Sequence, residues 1–180
     1  MNQNISTKTF NLRPAAESDI DRCWEMLQQG KAQMFREGKK QWTETYPSRQ
    51  SVENDLARGV AHVLELDGAV VAYGAVIFDG EPAYAQIEDR WLSHGSYVVI
   101  HRLAVADEVK RQGVATEFFR QVMHLASTSY NSVAHILYYS RQPVGTNMRM
   151  CIGKNRYRCT MLAEDIQYLV NRSTLLASCV

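Results

Sequence analysis

Tyr97 to Ala126, YVVIHRLAVADEVKRQGVATEFFRQVMHLA, decides the fold. Tyr97 to Val105 is an apolar, β-branched run and reads as a strand. Ala106 to Gln112 is a short polar loop, and Gly113 opens a helix predicted to reach about Ser127. Phe118, Phe119, Val122 and Leu125 fall on one face of that helix and point to a core beneath it. The first turn of a helix has backbone N–H groups without intrahelical acceptors and sits at the positive end of the dipole, so it attracts anions. Lys110 and Arg111 add positive charge beside it, while Gly113 and Ala115 let a bulky group approach the backbone. The local reading is a cradle for a pyrophosphate between a strand and a helix.

The rest of the chain is consistent with one domain over residues 1–180. Its 180 residues are 46% hydrophobic, enough for a proper core. A net charge of +1 leaves no electrostatic footprint for nucleic acid. No apolar stretch approaches the roughly 20 residues that span a bilayer. Met1 to Thr9 is polar, without the hydrophobic region of a signal peptide. Cys23, Cys151, Cys159 and Cys179 show no paired spacing and read as reduced thiols, which makes a cytoplasmic location the expectation. No Cys-x-x-Cys or His-x-x-x-His spacing suggests a metal.

Working outward, Phe10 to Arg13 reads as a first strand ending at Pro14. Ser18 is the expected cap of a helix with Ile20, Cys23, Trp24 and Leu27 on one face, and a second helical pattern runs from Lys31 to Glu37 until Gly38. Trp42, Tyr46 and Pro47 lie in an aromatic loop. Ser51 is expected to cap a short helix with Glu53 and Asp55 in its first turn. Val60 to Leu66, Asp67-Gly68 and Ala69 to Phe78 form the clearest hairpin. Tyr84 to Trp91 reads equally as strand or short helix. Beyond the long helix, Val133 to Tyr139 suggests a buried strand, Asn147 to Lys154 a short helix, and Arg156 to Leu162 and Ile166 to Val170 two more strands.

Leu103-Ala104-Val105 followed by Lys110-Arg111-Gln112-Gly113-Val114-Ala115 resembles the signature of the GNAT superfamily of acyl-CoA-dependent N-acyltransferases: Arg/Gln-x-x-Gly-x-Gly/Ala after a strand ending in Leu-Ala-Val. Lys110 stands where Arg or Gln is usual. Gln41-Trp42, Tyr46-Pro47 and Ile100 to Val105 are similar to elements of a bacterial GNAT branch of unassigned substrate. The likeness covers roughly Leu12 to Cys159. It implies an α/β GNAT fold, a mixed and mostly antiparallel sheet with helices on both faces. It also implies that acetyl-CoA is the co-substrate, with no metal, and that a primary amine of a small molecule or peptide is the acceptor. A nucleic-acid or membrane partner is not implied, and a homodimer is left open.

By the same resemblance, the co-substrate would lie on Leu103, Ala104, Val105, Lys110, Arg111, Gln112, Gly113, Val114, Ala115 and Thr116. The backbone N–H of Leu103 would polarise the thioester where the fourth strand splays from the fifth, and Val105 would pair with the pantetheine arm. Trp42 and Tyr46 would wall the acceptor pocket. Many members carry a tyrosine acid that falls here on Ile152, and a strand carboxylate that falls here on Val99. Tyr138, Tyr139 or water would then protonate the thiolate. For the base, His101 ranks first, because imidazole titrates near neutrality and strand alternation puts residues 99, 101, 103 and 105 on one face. A bulge would invert that assignment. Glu88 ranks second and Asp89 third. The missing acid and carboxylate leave a rival reading, a GNAT domain that binds acyl-CoA or a partner without catalysis.

Overall fold

Asp67 and Gly68 both adopt positive φ, 51° and 86°, the backbone of a tight turn whose twist matches the strands it joins. The turn links β2 (Ala61–Leu66) to β3 (Ala69–Ile77). The computed structural model describes residues 8–39, 41–78, 97–129, 135–141, 147–153, 156–162 and 167–170. Strand β1 (Phe10–Pro14) pairs with β2, and β4 (Tyr97–Val105) with β3, all antiparallel. Next come β5 (His135–Arg141), parallel to β4, and then antiparallel β6 (Asn147–Gly153), β7 (Arg156–Leu162) and β8 (Gln167–Val170). Strand order across the sheet follows the chain. The parallel step from β4 to β5 contains helix α3 (Val114–Ser129), because parallel neighbours need a crossover rather than a tight turn.

Helices cover both faces of the sheet. Val114, Phe118, Phe119, Val122 and Ala126 of α3 pack on Leu64, Ala72, Val76, Val98 and Ile100. On the opposite face, helix α1 (Ile20–Arg36) and helix α2 (Arg49–Ala57) bring Cys23, Met26, Leu27 and Val52 against Ala61, Val63, Tyr73 and Ala104. Phe118 lies fully buried over Gly74, where a Cβ would stand 2.8 Å from its ring. Truncating a buried Phe to Ala typically costs about 3–5 kcal/mol.

Four local expectations are corrected. The two helical patterns before Gly38 are one helix, α1, which continues through Gly30; the Trp42 ring sits against that glycine, where a Cβ would lie 2.8 Å from it. Asp19, not Ser18, stands at the α1 N-cap. Ser48 caps α2, with Ser51 completing a capping box, so Asp55 falls near the helix's C-terminal end rather than in the first turn, and is 2% exposed. Asn147–Gly153 is strand β6 rather than a helix: Met148, Met150 and Ile152 recur with the period of a strand, and β5 and β7 flank it on either side. Tyr84 to Trp91 lies outside the described residues.

Candidate active site

Strands β4 and β5 part company halfway along. Their pairing runs from Tyr97↔His135 to Ile100↔Tyr138, yet β4 continues to Val105 and β5 to Arg141. Beyond Ile100, β4 stays paired with β3, through Ala75↔His101, Tyr73↔Ala104 and Ala72↔Val105. Among the described residues, the other edge of β4 from Arg102 to Val105 therefore has no strand beside it. A strand edge without a neighbouring strand offers its backbone groups to an extended chain laid beside it. Tyr138 and Tyr139 lie on β5, with Tyr138 at the last paired position; Glu88 and Asp89 lie outside the described residues.

A bulge sits at the point of divergence. Opposite Gly74, β4 places two residues, Arg102 and Leu103, and Arg102 adopts a φ of 56° in the left-handed region. The alternation expected for residues 99, 101, 103 and 105 is thereby broken. Leu103 and Val105 pack with the α3 cluster, whereas His101 pairs with Ala75 on the face that carries Tyr73. His101 thus lies on the α1/α2 side of the sheet, half-buried. N–H direction alternates along a strand together with side-chain face, so the bulge re-phases both: Ala106 N–H donates to Val71 O on the β3 side at 2.9 Å, which places the N–H groups of Val105 and Leu103 on the other edge.

Arg102 turns its side chain to that same α1/α2 side and meets a buried polar cluster that the sequence reading missed. Its Nε donates to Asp55 Oδ2 at 2.8 Å, and its Nη2 donates to Asp55 Oδ1. Tyr73 donates its hydroxyl to Asp55 Oδ2 at 2.5 Å, and Arg102 Nη1 donates to the Tyr46 hydroxyl at 2.8 Å. Burial, joined by the Asp55 carboxylate, pushes the Tyr73 phenol well above its usual range. Burial opposes the Arg102 charge, but the Asp55 carboxylate outweighs it and holds the guanidinium firmly protonated. One signal was available in sequence, an arginine beside a histidine inside a mainly apolar strand.

Of the two aromatic residues expected at an acceptor pocket, Trp42 is 4% exposed and packs in the core, while Tyr46 is 45% exposed. Their loop is pinned from below by Lys31, whose ammonium donates to the carbonyls of Glu44 at 2.8 Å and Pro47 at 3.0 Å. Burial lowers the Lys31 pKa, and Glu44 partly offsets that effect.

The cradle begins where β4 ends. A 3-10 turn, Asp107–Val109, leads through Arg111 (φ 63°) and Gly113 (φ 80°) into α3. The first helical bond runs from Glu117 N to Gly113 O at 3.0 Å, so the N–H groups of Val114, Ala115 and Thr116 precede it. A Cβ on Gly113 would meet nothing within 4 Å, so the space beside that backbone is open. Helix α1 buttresses the loop: Gln29 accepts from Asp107 N at 2.8 Å, and Arg22 bonds Val70 O at 3.1 Å and pairs with Glu108. Lys110 is drawn toward α1 as well, donating to Gln33 Oε1 at 2.5 Å and pairing with Asp107. Gln112 spends its side chain on Glu108 O and Lys8. Arg111 is exposed at the cradle's edge.

A splayed, bulged fourth strand running into a Gly-opened helix defines the acyl-CoA N-acyltransferase class of α/β fold. Residues 24–140 match the family model described as the Acetyltransferase (GNAT) family, and the chain belongs to it. Among solved structures, a GNAT-family acetyltransferase of Streptococcus agalactiae 2603 is similar at 24% identity and TM-score 0.63, over 73% of this chain and 76% of that one. A provisionally assigned acetyltransferase of Staphylococcus aureus Mu50 is similar at 26% identity and TM-score 0.53, over 72% and 79%. A GNAT-family acetyltransferase of Listeria monocytogenes 4b F2365 is similar at 13% identity and TM-score 0.59, over 79% and 98%. No curated protein matches the chain. Among the described residues, no cluster of three His, Cys, Asp or Glu side chains is placed to hold a metal ion, and no helix is long and apolar enough to cross a membrane.

Proposed function

We propose that this chain is an N-acetyltransferase that moves an acetyl group from acetyl-CoA to a primary amine of a small molecule or peptide, directly and within one ternary complex. The observation that carries the reading is the end of β4–β5 pairing at Ile100↔Tyr138 while β4 runs on to Val105 and into the cradle. The donor set suits coenzyme A: N–H groups of Val114, Ala115 and Thr116 with Arg111 for a diphosphate, and an open strand edge at Val105 for an amide-bearing arm.

When bound, acetyl-CoA supplies the acetyl group as an activated thioester. Leu103 N–H, on the open edge, donates to the thioester oxygen as negative charge develops there; one such donor is worth about 100- to 1,000-fold in rate. The acceptor amine has a pKa near about 10 and must lose a proton to attack. His101, on the α1/α2 side, takes that proton directly or through water, with Glu88 and Asp89 the next candidates. Tyr138 or water returns a proton to the departing thiolate. Tyr46 offers exposed surface to the acceptor, while Trp42 supports the loop from within.

One observation favours a second reading, an acyl-CoA-binding domain without turnover. Val99 is fully buried at the position where many relatives in the superfamily carry a strand carboxylate, so no base is available there. Thiol release from acetyl-CoA across a panel of amines separates the two. Turnover supports the enzyme; binding of acetyl-CoA without turnover for any amine supports the binding domain.

A further inference from the structure

The buried cluster around Asp55 joins the two halves of the site. We propose that Arg102 is a positioning residue: its forked ion pair with Asp55 clamps the β4 bulge, and its bond to Tyr46 ties the acceptor-side loop to the acyl-side strand. The inference rests on the acyl-transfer reading for its catalytic consequence, although its mechanical part stands apart from it.

Three observations carry it. Arg102 holds a positive φ of 56°, a strained conformation for a non-glycine residue that persists only where its surroundings enforce it. Enforcement is visible in the side chain, which is 13% exposed and bound through Nε and Nη2 to a carboxylate only 2% exposed. A guanidinium fork against a carboxylate fixes orientation as well as distance, which a lysine at the same position cannot do. The residue after Arg102 is Leu103, so the plane of its N–H is set by this clamp. Arg102 Nη1 then reaches across to Tyr46, 56 positions earlier in the chain, in the loop that Lys31 pins from below. Tyr73 completes the cluster from β3, so the clamp is braced from α2, β3 and the loop at once.

The decisive variant is the double substitution Arg102→Gly with Asp55→Asn. Glycine adopts φ of 56° without penalty, so the bulge backbone remains allowed, and asparagine avoids a buried unpaired carboxylate. Amide hydrogen exchange and steady-state kinetics are read on the same folded protein, beside Tyr46→Phe, which cuts only the link to the loop. Clamping predicts faster exchange at 102–105 in the double variant and at 43–48 in both. It also predicts a fall in kcat of up to about 100-fold in the double variant, with the acetyl-CoA dissociation constant within about threefold of the parent. Parental exchange at 102–105, or a parental kcat, in the folded double variant overturns the clamp, and parental exchange at 43–48 in Tyr46→Phe overturns the tie to the loop. If the parent itself turns over no amine, the acyl-transfer reading fails by that result and the exchange measurement still decides the clamp. Should the double variant not fold, Arg102→Lys takes its place with the same two outcomes.

Discussion

Asp55, near the end of α2, receives Arg102 of β4 through two guanidinium nitrogens, with Nε 2.8 Å from Oδ2. The pair spans 47 positions of sequence and lies on the α1/α2 side of the sheet, just where β4 leaves β5. Removing one partner strands the other's charge in a buried site. Asp55→Ala is expected to lower unfolding free energy by about 3–5 kcal/mol, whereas exchanging both residues for leucine together with Tyr73→Phe, which orphans no buried hydroxyl, costs much less. Urea denaturation of the two variants checks this, and equal losses would contradict it.

His62 gives a pH dependence with a definite sign. It is 6% exposed, its Nδ1 lies 3.0 Å from Val60 O, and burial lowers its pKa below 6.5 despite that bond. Below about pH 6.5 the unfolded chain takes a proton that the folded ring resists, so stability falls as pH falls through this window. The fall from this group stops once the folded ring itself protonates. His62→Phe should remove that component, and Val60 O keeps its bond from Val76 N at 2.8 Å. Thermal melts of both proteins between pH 7 and 5 measure the difference; parallel curves would count against it.

Gly74 links core packing to the site, because it faces Phe118 and lies opposite the bulge. A Cβ would approach the Phe118 ring to 2.8 Å, and that ring is fully enclosed. Gly74→Ala should destabilise by about 1–3 kcal/mol. Its melting temperature, compared with the parent's, tests the prediction, and an unchanged value would show that the ring has room to move.

His101 is expected to matter for rate without being indispensable. General base help is worth about 100- to 10,000-fold, and the loss in His101→Ala should come with a flattened acidic limb of the pH–rate profile between pH 6 and 9. Turnover identical to the parent across that range removes His101 from the mechanism and shifts attention to Glu88 and Asp89.

Much of the fold was legible because its strongest signals are local. Asp67-Gly68 specifies its own turn, and Tyr97 to Ala126 carries strand, loop and helix in one stretch with the glycine at the junction. The clamp was not legible. Arg102 stands out in a mainly apolar strand, but no residue type marks a bulge, so the alternation from Val99 to His101 reads straight through it. Asp55 read as a first-turn helix acid because Ser51, three positions after the true cap Ser48, is itself a good capping residue. Asn147–Gly153 misled because it is short: the alternation of Met148, Met150 and Ile152 covers too few residues to decide alone, and β5 and β7 on either side make it a strand. Trp42 could not be assigned to core or pocket until Gly30 was seen beneath it.

The cradle is the part on which everything functional depends, and calorimetric titration with acetyl-CoA tests it most directly. The expected result is saturable heat at one site per chain, competed by coenzyme A and weakened at least about tenfold by Gly113→Val, which strains a φ of 80° and fills the open space beside the loop. An intact, folded protein that gives no heat with either coenzyme A or its acetyl ester would contradict the account.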